Sequence, residues 1–129
     1  MKERETIAEL APFLRLVACL TNLDQLKPGW NIYGAERPSA VALRISLRIL
    51  RVLYSMDRLP DRVLPLADGG VALVYSRGSL YASFECFNDG EVTAGTSNRS
   101  DQHQAWNVEP DRVADSAKRI SVFLNGSVG

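Results

Sequence analysis

The N-terminal part of the chain carries apolar residues at the spacing of one helical face. They include Ile7, Leu10, Leu14 and Val17, and this period predicts a helix over residues 5–23. Pro12 interrupts the pattern, because a proline inside a helix removes one hydrogen bond and clashes with the preceding turn. The sequence leaves two alternatives: the helix kinks at Pro12, or a shorter helix begins there.

A second stretch has the same helical period. Ser39 is a good N-cap residue, and the apolar residues after it predict a helix from Ala40 to about Met56. Its polar face is formed by three arginines, Arg44, Arg48 and Arg51. The remaining sides are almost entirely apolar, so we expect neighbouring elements or a second subunit to cover this helix.

From residue 62 the apolar positions alternate with period two, which is typical of strands. We predict four strands, over residues 63–66, 71–75, 80–87 and 91–96. Pro65 favours an edge position for the first strand, because proline cannot donate a hydrogen bond to a sheet. Turns at Asp68-Gly69-Gly70, at the two-residue loop Arg77-Gly78 and at Asn88-Asp89-Gly90 predict an antiparallel meander.

The third predicted strand has two different faces. Its core face is predicted to carry Leu80, Ala82, Phe84 and Cys86, and its opposite face carries Tyr81 and Phe87 among its residues. Residues 95–108 are polar and irregular, and we expect a mobile loop whose far end is anchored by Trp106. Glu109-Pro110-Asp111 predicts the start of a C-terminal helix.

These elements predict a single α+β domain over residues 1–129. Two N-terminal helices, a four-stranded antiparallel meander and a C-terminal helix would bury their apolar sides if the helices packed on one sheet face. The one distinctive local pattern is the connector Gly29-Trp30-Asn31-Ile32-Tyr33-Gly34-Ala35 between the first two helices. We interpret it as a hinge packed by Trp30 and Tyr33, or alternatively as a ligand-recognition loop.

Composition and charge narrow the class of protein. Lysine plus arginine and aspartate plus glutamate number 15 each, so the net charge is zero and gives no overall attraction to nucleic acid or an anionic membrane. The two cysteines, Cys19 and Cys86, have no zinc-ligand spacing, and we expect two buried thiols in a reducing cytoplasm. No signal peptide or membrane-length apolar run is evident in the sequence, so we predict a cytoplasmic location.

The sequence offers little catalytic chemistry. His103 is the single histidine, and we expect it to be exposed, with a general-base role beside Asp101 as the alternative. No phosphate-binding, metal-binding or nucleophile motif occurs. We therefore predict neither a cofactor nor a metal, and we favour a protein that is not an enzyme.

The connector and the segment Ala67-Asp68-Gly69-Gly70-Val71-Ala72-Leu73 together resemble a family. Over roughly residues 20–90 the chain resembles small uncharacterised bacterial and phage proteins that carry a Gly-Trp-Asp/Asn-x-Tyr-Gly-Ala signature and a Pro-x-x-Asp-Gly-Gly-Val-type hairpin. Ile32 stands where that family would have glycine. The resemblance implies a bacterial or mobile-element origin and no particular reaction.

The prediction from sequence is a non-enzymatic binding or regulatory protein that acts by protein–protein contact, as a homodimer. The candidate contact surfaces are Tyr81 with Phe87 and the second helix. The first alternative is a small-ligand binding protein, or an enzyme, that uses a groove near Trp30 and Tyr33. The second alternative is a nucleic-acid binder that uses the face of Arg44, Arg48 and Arg51.

Overall fold

The structure is a computed structural model that describes residues 7–27, 36–98, 100 and 102–126. Its helices are α1 (Ile7–Leu23), α2 (Ala40–Ser55) and α3 (Val113–Gly126). Its strands are β1 (Arg62–Pro65), β2 (Gly70–Arg77), β3 (Leu80–Phe87), β4 (Val92–Ser97) and β5 (His103–Asn107). The strands form one antiparallel sheet in the order β1-β2-β3-β4-β5.

The core lies between the helices and one face of the sheet. On β3 it includes the predicted residues Ala82, Phe84 and Cys86, all fully buried, and their partners on β2 and β4 point the same way. Helix α1 packs against β1, α2 packs against β2 and β3, and α3 packs against β3 and β4. The predicted α+β class, with helices on one sheet face, is therefore confirmed. We call the other side of the sheet the open face; Ala72, Val74 and Ser83 on this face are nevertheless buried.

The predicted sheet of four strands was one strand short. The expected mobile loop contains β5, which pairs with β4 from Ser97 opposite His103 to Thr93 opposite Asn107. At the end of β4 the Asn98 side chain accepts hydrogen bonds from the backbone N–H groups of Ser100 and Gln102, both at 3.0 Å. An edge strand with a solvated face tolerates polar residues, which is why β5 lacks an apolar alternation.

Several boundaries also differ from the predictions. Helix α1 runs through Pro12, so the alternative of a helix that begins at this proline was wrong. Pro110 and Asp111 form a turn and α3 begins only at Val113, whereas the sequence predicted a start at Glu109-Pro110-Asp111. The β2–β3 hairpin loop is Gly78-Ser79, one residue later than predicted, because Arg77 still pairs with Leu80. Pro65 does lie on an edge strand, as predicted.

The start of α2 is fixed to the β3–β4 turn. Ser39 is the N-cap, and its hydroxyl accepts from the N–H of Ala42 at 3.0 Å. The side-chain oxygen of Asn88 accepts from the N–H of Ser39 at 2.7 Å, and its amide nitrogen donates to the carbonyl of Arg37 at 3.1 Å. These bonds hold the turn against the first residues of the helix.

The two cysteines are free and lie in different environments. Cys86 is fully buried in the core, and this burial raises the pKa of its thiol to about 11. Cys19 is exposed on α1, which corrects the prediction of two buried thiols. An exposed position on the outer side of an amphipathic helix gives a thiol no covering neighbours.

Candidate functional site

A cleft opens between α2, the β3–β4 turn and the connection from β5 to α3. Its volume is about 470 Å³, which falls within the range of about 300–1,000 Å³ that is usual for ligand sites. We call it the α2–α3 cleft. Its lining residues are Ile45, Arg48, Ile49, Val52, Gly90, Glu91, Val92, Asn107, Val108, Glu109, Pro110 and Val113.

Both walls of the cleft are held by backbone hydrogen bonds. On one side, the N–H of Phe87 donates to the carbonyl of Glu91 at 2.8 Å, and the N–H of Gly90 donates back to Phe87 at 2.9 Å. On the other side, the N–H of Val108 donates to the carbonyl of Val92 at 2.9 Å. The walls are therefore formed by well-bonded backbone, which makes the cleft a pre-formed feature of the fold.

The floor of the cleft is aliphatic and its rim is charged. Ile49, Val92 and Val108 are buried in the floor, whereas Ile45 and Val52 are half-buried and leave apolar surface within the cleft. The exposed charged residues of the rim are Arg48 on the α2 side and Glu91 and Glu109 on the other side. An apolar floor with a few charged groups around it is typical of ligand-binding pockets.

The ionisable residues that line the cleft are one arginine and two glutamates, Arg48, Glu91 and Glu109. Its lining includes no serine, threonine, cysteine, histidine, lysine or tyrosine. Across the described ranges, histidine, cysteine, aspartate and glutamate side chains form no group of three that could hold a metal ion.

His103 is the first residue of β5 and lies on the open face. Its Nδ1 atom is 2.9 Å from the hydroxyl oxygen of Ser97, the residue opposite it on β4. A serine–histidine contact is the start of a nucleophilic site, but both side chains lie on an open strand surface and not in the cleft. Asp101, the predicted partner of His103, lies outside the described residues.

The structure describes only some of the residues predicted to bind. Trp30 and Tyr33 lie outside the described residues. Tyr81 and Phe87 share the open face and are half-buried, but six positions along one strand place them about 20 Å apart. They therefore do not form one compact patch.

The three arginines of α2 do not all line the same groove. Arg44, Arg48 and Arg51 are exposed; Arg48 lines the α2–α3 cleft, and Arg44 lines a separate groove between α1 and α2. Arg51 is not part of either lining. Their spacing of i, i+4 and i+7 nevertheless keeps them on one face of the helix, so the nucleic-acid role stays a prediction.

Sequence reasoning missed most of the cleft. Ile45 and Val52 belong to the apolar stripe of the second helix, and no pattern indicates that they border open space. Glu91, Val108 and Glu109 come from segments far from α2 in the sequence. The one available signal was Arg48, a predicted binding residue that does lie at the rim.

Comparisons with known proteins identify no relatives. No protein-family model, no curated protein and no solved structure matches the chain. The resemblance to the bacterial and phage family therefore stays a prediction, and its signature segment 29–35 lies outside the described residues. In the described ranges, none of the helices combines the length and hydrophobicity that a bilayer span requires.

Proposed function

We propose that the protein is a non-enzymatic binding protein that holds an apolar anchor of a partner protein in the α2–α3 cleft. The observation that carries the proposal is an aliphatic cleft of about 470 Å³ with charges only at its rim. Protein interfaces obtain much of their affinity from a few anchor side chains that fill such pockets. Arg48 on one rim, and Glu91 and Glu109 on the other, would fix the direction of the bound segment by charge.

Selection from a displayed random-peptide library tests this proposal, because such a library samples many anchor side chains and flanking charges at once. We expect the enriched peptides to contain an aromatic or aliphatic anchor flanked by charged residues. Val52→Glu should weaken their binding at least about tenfold, since it places an unpaired carboxylate against the anchor. Arg48→Glu should change the charge preference of the selected peptides.

Arg51→Glu is the matched control for these variants. It changes the charge of the same helix at an exposed position outside the cleft lining, so it should leave peptide affinity unchanged. Thermal melting of each variant separates loss of binding from loss of folding. Peptides that bind wild type and folded Val52→Glu protein equally would contradict a role for the cleft.

A second candidate function is the binding of a small apolar acid. The cleft volume and the single arginine at its rim favour it, because a carboxylate could pair with Arg48 while an aliphatic tail occupies the floor. A medium-chain alkanoate would then raise the melting temperature of the wild type but not of Arg48→Gln. The matching alcohol, which lacks the charge, should have a weaker effect.

A further inference from the structure

The two edges of the sheet are protected to different degrees. The β1 edge is short, contains Arg62 and Pro65, and lies beside α1. Proline, charge and a covering helix are the usual devices that stop an edge from pairing with another chain. The β5 edge, residues His103–Asn107, contains neither proline nor a charged lysine, arginine or acid, and no other described strand pairs with its outer side.

The hydrogen bonds of β4 and β5 determine which groups face outwards. The N–H of Val108 donates to Val92, and the N–H of Asn98 donates to the carbonyl of Gln102. Bonded and non-bonded pairs alternate in an antiparallel ladder, so Trp106 and Gln104 bond to β4. The N–H and C=O groups of His103, Ala105 and Asn107 consequently point away from the sheet.

We propose that β5 pairs in antiparallel fashion with β5 of a second copy of this chain, about a two-fold axis at Ala105. The outward groups of the three residues match themselves in this register. Ala105 would exchange both of its hydrogen bonds with Ala105 of the other copy, and His103 would exchange both with Asn107. The two five-stranded sheets would become one continuous sheet.

The side chains in this register are mutually compatible. On the open face His103 would lie opposite Asn107, with the small Ala105 at the axis. On the helix side Gln104 would lie opposite Trp106, whose ring is already covered by the guanidinium of Arg119 at 3.6 Å. Among the strand residues 103–107 themselves, no like-charged pair meets across the axis, whereas such pairs destabilise strand pairing.

The groove beside the strand does not repel a second copy. Along α3 it carries both signs of charge, and Arg112 and Asp115 form an ion pair at 3.0 Å. The net charge of zero also removes long-range repulsion between copies. A typical stable interface buries about 1,200–2,000 Å² in total, which is about 10% of the surface of each small partner. Two paired strands bury less than this, so we expect a dissociation constant in the micromolar range.

Analytical ultracentrifugation over a range of concentrations tests the pairing. The wild type should pass from a mass near 14.2 kDa to twice that mass as its concentration rises. Ala105→Lys should raise the dissociation constant at least tenfold, because it places like charges opposite each other at the axis. Ala105→Ser is the control and should dimerise as the wild type does, since a small polar residue fits the exposed face.

Amide hydrogen exchange then tests the register. The amides of Gln104 and Trp106 bond within each copy and should be protected at every concentration. Those of His103, Ala105 and Asn107 should gain protection only as the dimer forms. A wild type that stays monomeric at millimolar concentration would overturn the proposal, and so would a dimer in which the Ala105 amide exchanges freely or Ala105→Lys has no effect. Ala105 is outside the cleft lining, so these results do not depend on the proposed function.

Discussion

Two buried serines on the helices have different hydrogen-bond partners. Ser116 on α3 accepts a hydrogen bond from the indole Nε1 of Trp106 at 2.9 Å. The hydroxyl of Ser46 on α2 has no nitrogen or oxygen partner among the described residues. The polar group beside it is the Cys86 thiol, which is a weak partner. A buried hydroxyl without a strong partner costs stability, whereas a satisfied one adds to it.

The serine pair gives a prediction at the scale of single residues. Ser46→Ala should leave the free energy of unfolding unchanged or raise it by up to about 1 kcal/mol, because it removes a poorly satisfied hydroxyl. Ser116→Ala should lower it by about 1–2 kcal/mol, because the indole N–H loses its partner. Urea unfolding measures both values. Equal losses in the two variants would contradict the difference between the sites.

At the scale of elements, the sequence specified those with a strong periodic pattern. Strand β3 was predicted with its bounds and its core face because large apolar residues alternate along it. The start of α2 was also placed correctly, because the N-cap hydrogen bond of Ser39 involves only neighbouring residues. Strand β5 was missed because its polar composition does not indicate a strand; it is a strand because it is hydrogen-bonded to β4. The cleft was missed because an apolar helix stripe looks the same whether a neighbour covers it or leaves a gap.

The open face of the sheet contains an unusual carboxyl group. Glu85 on β3 is half-buried there, between Ala72 of β2 and Thr93 of β4. Desolvation by burial raises its pKa, and the negative charge of Asp68 raises it further. When the pKa of a carboxyl is higher in the folded than in the unfolded state, protonation of that carboxyl stabilises the folded state. The stability that it contributes is therefore present at low pH and is lost as the pH rises through the folded-state pKa.

This linkage predicts a pH-dependent effect of Glu85→Gln. At about pH 7 the variant should melt at a higher temperature than the wild type, because it removes a partly desolvated charge. The difference should shrink as the pH falls below the ordinary carboxyl pKa of about 4.3, where the wild type is also neutral. Glu91→Gln, at an exposed carboxyl, is the control and should show a much smaller change. A Glu85→Gln protein that is less stable at neutral pH would contradict this account.

At the scale of the whole molecule, the strand order sets the distance between its surfaces. The edge strand β5 adjoins the α2–α3 cleft through Asn107, which lines the cleft and also carries outward backbone groups. Strand β1 and helix α1 lie at the opposite edge of the sheet. A copy paired at β5 would therefore approach the cleft and leave α1 far from the axis.

Because only one of the two thiols is exposed, a spin label on Cys19 can report the distance between the two copies of the proposed dimer. At neutral pH a spin label should react with exposed Cys19 and spare Cys86, whose burial suppresses its thiolate. Pairing at β5 would place the two labels near opposite ends of a sheet of twice five strands. At about 4.8 Å per strand this separation is on the order of 40 Å, which pulsed dipolar spectroscopy measures. Association through α2, which packs against α1, would bring the labels much closer together, so one distance distinguishes the two modes of assembly.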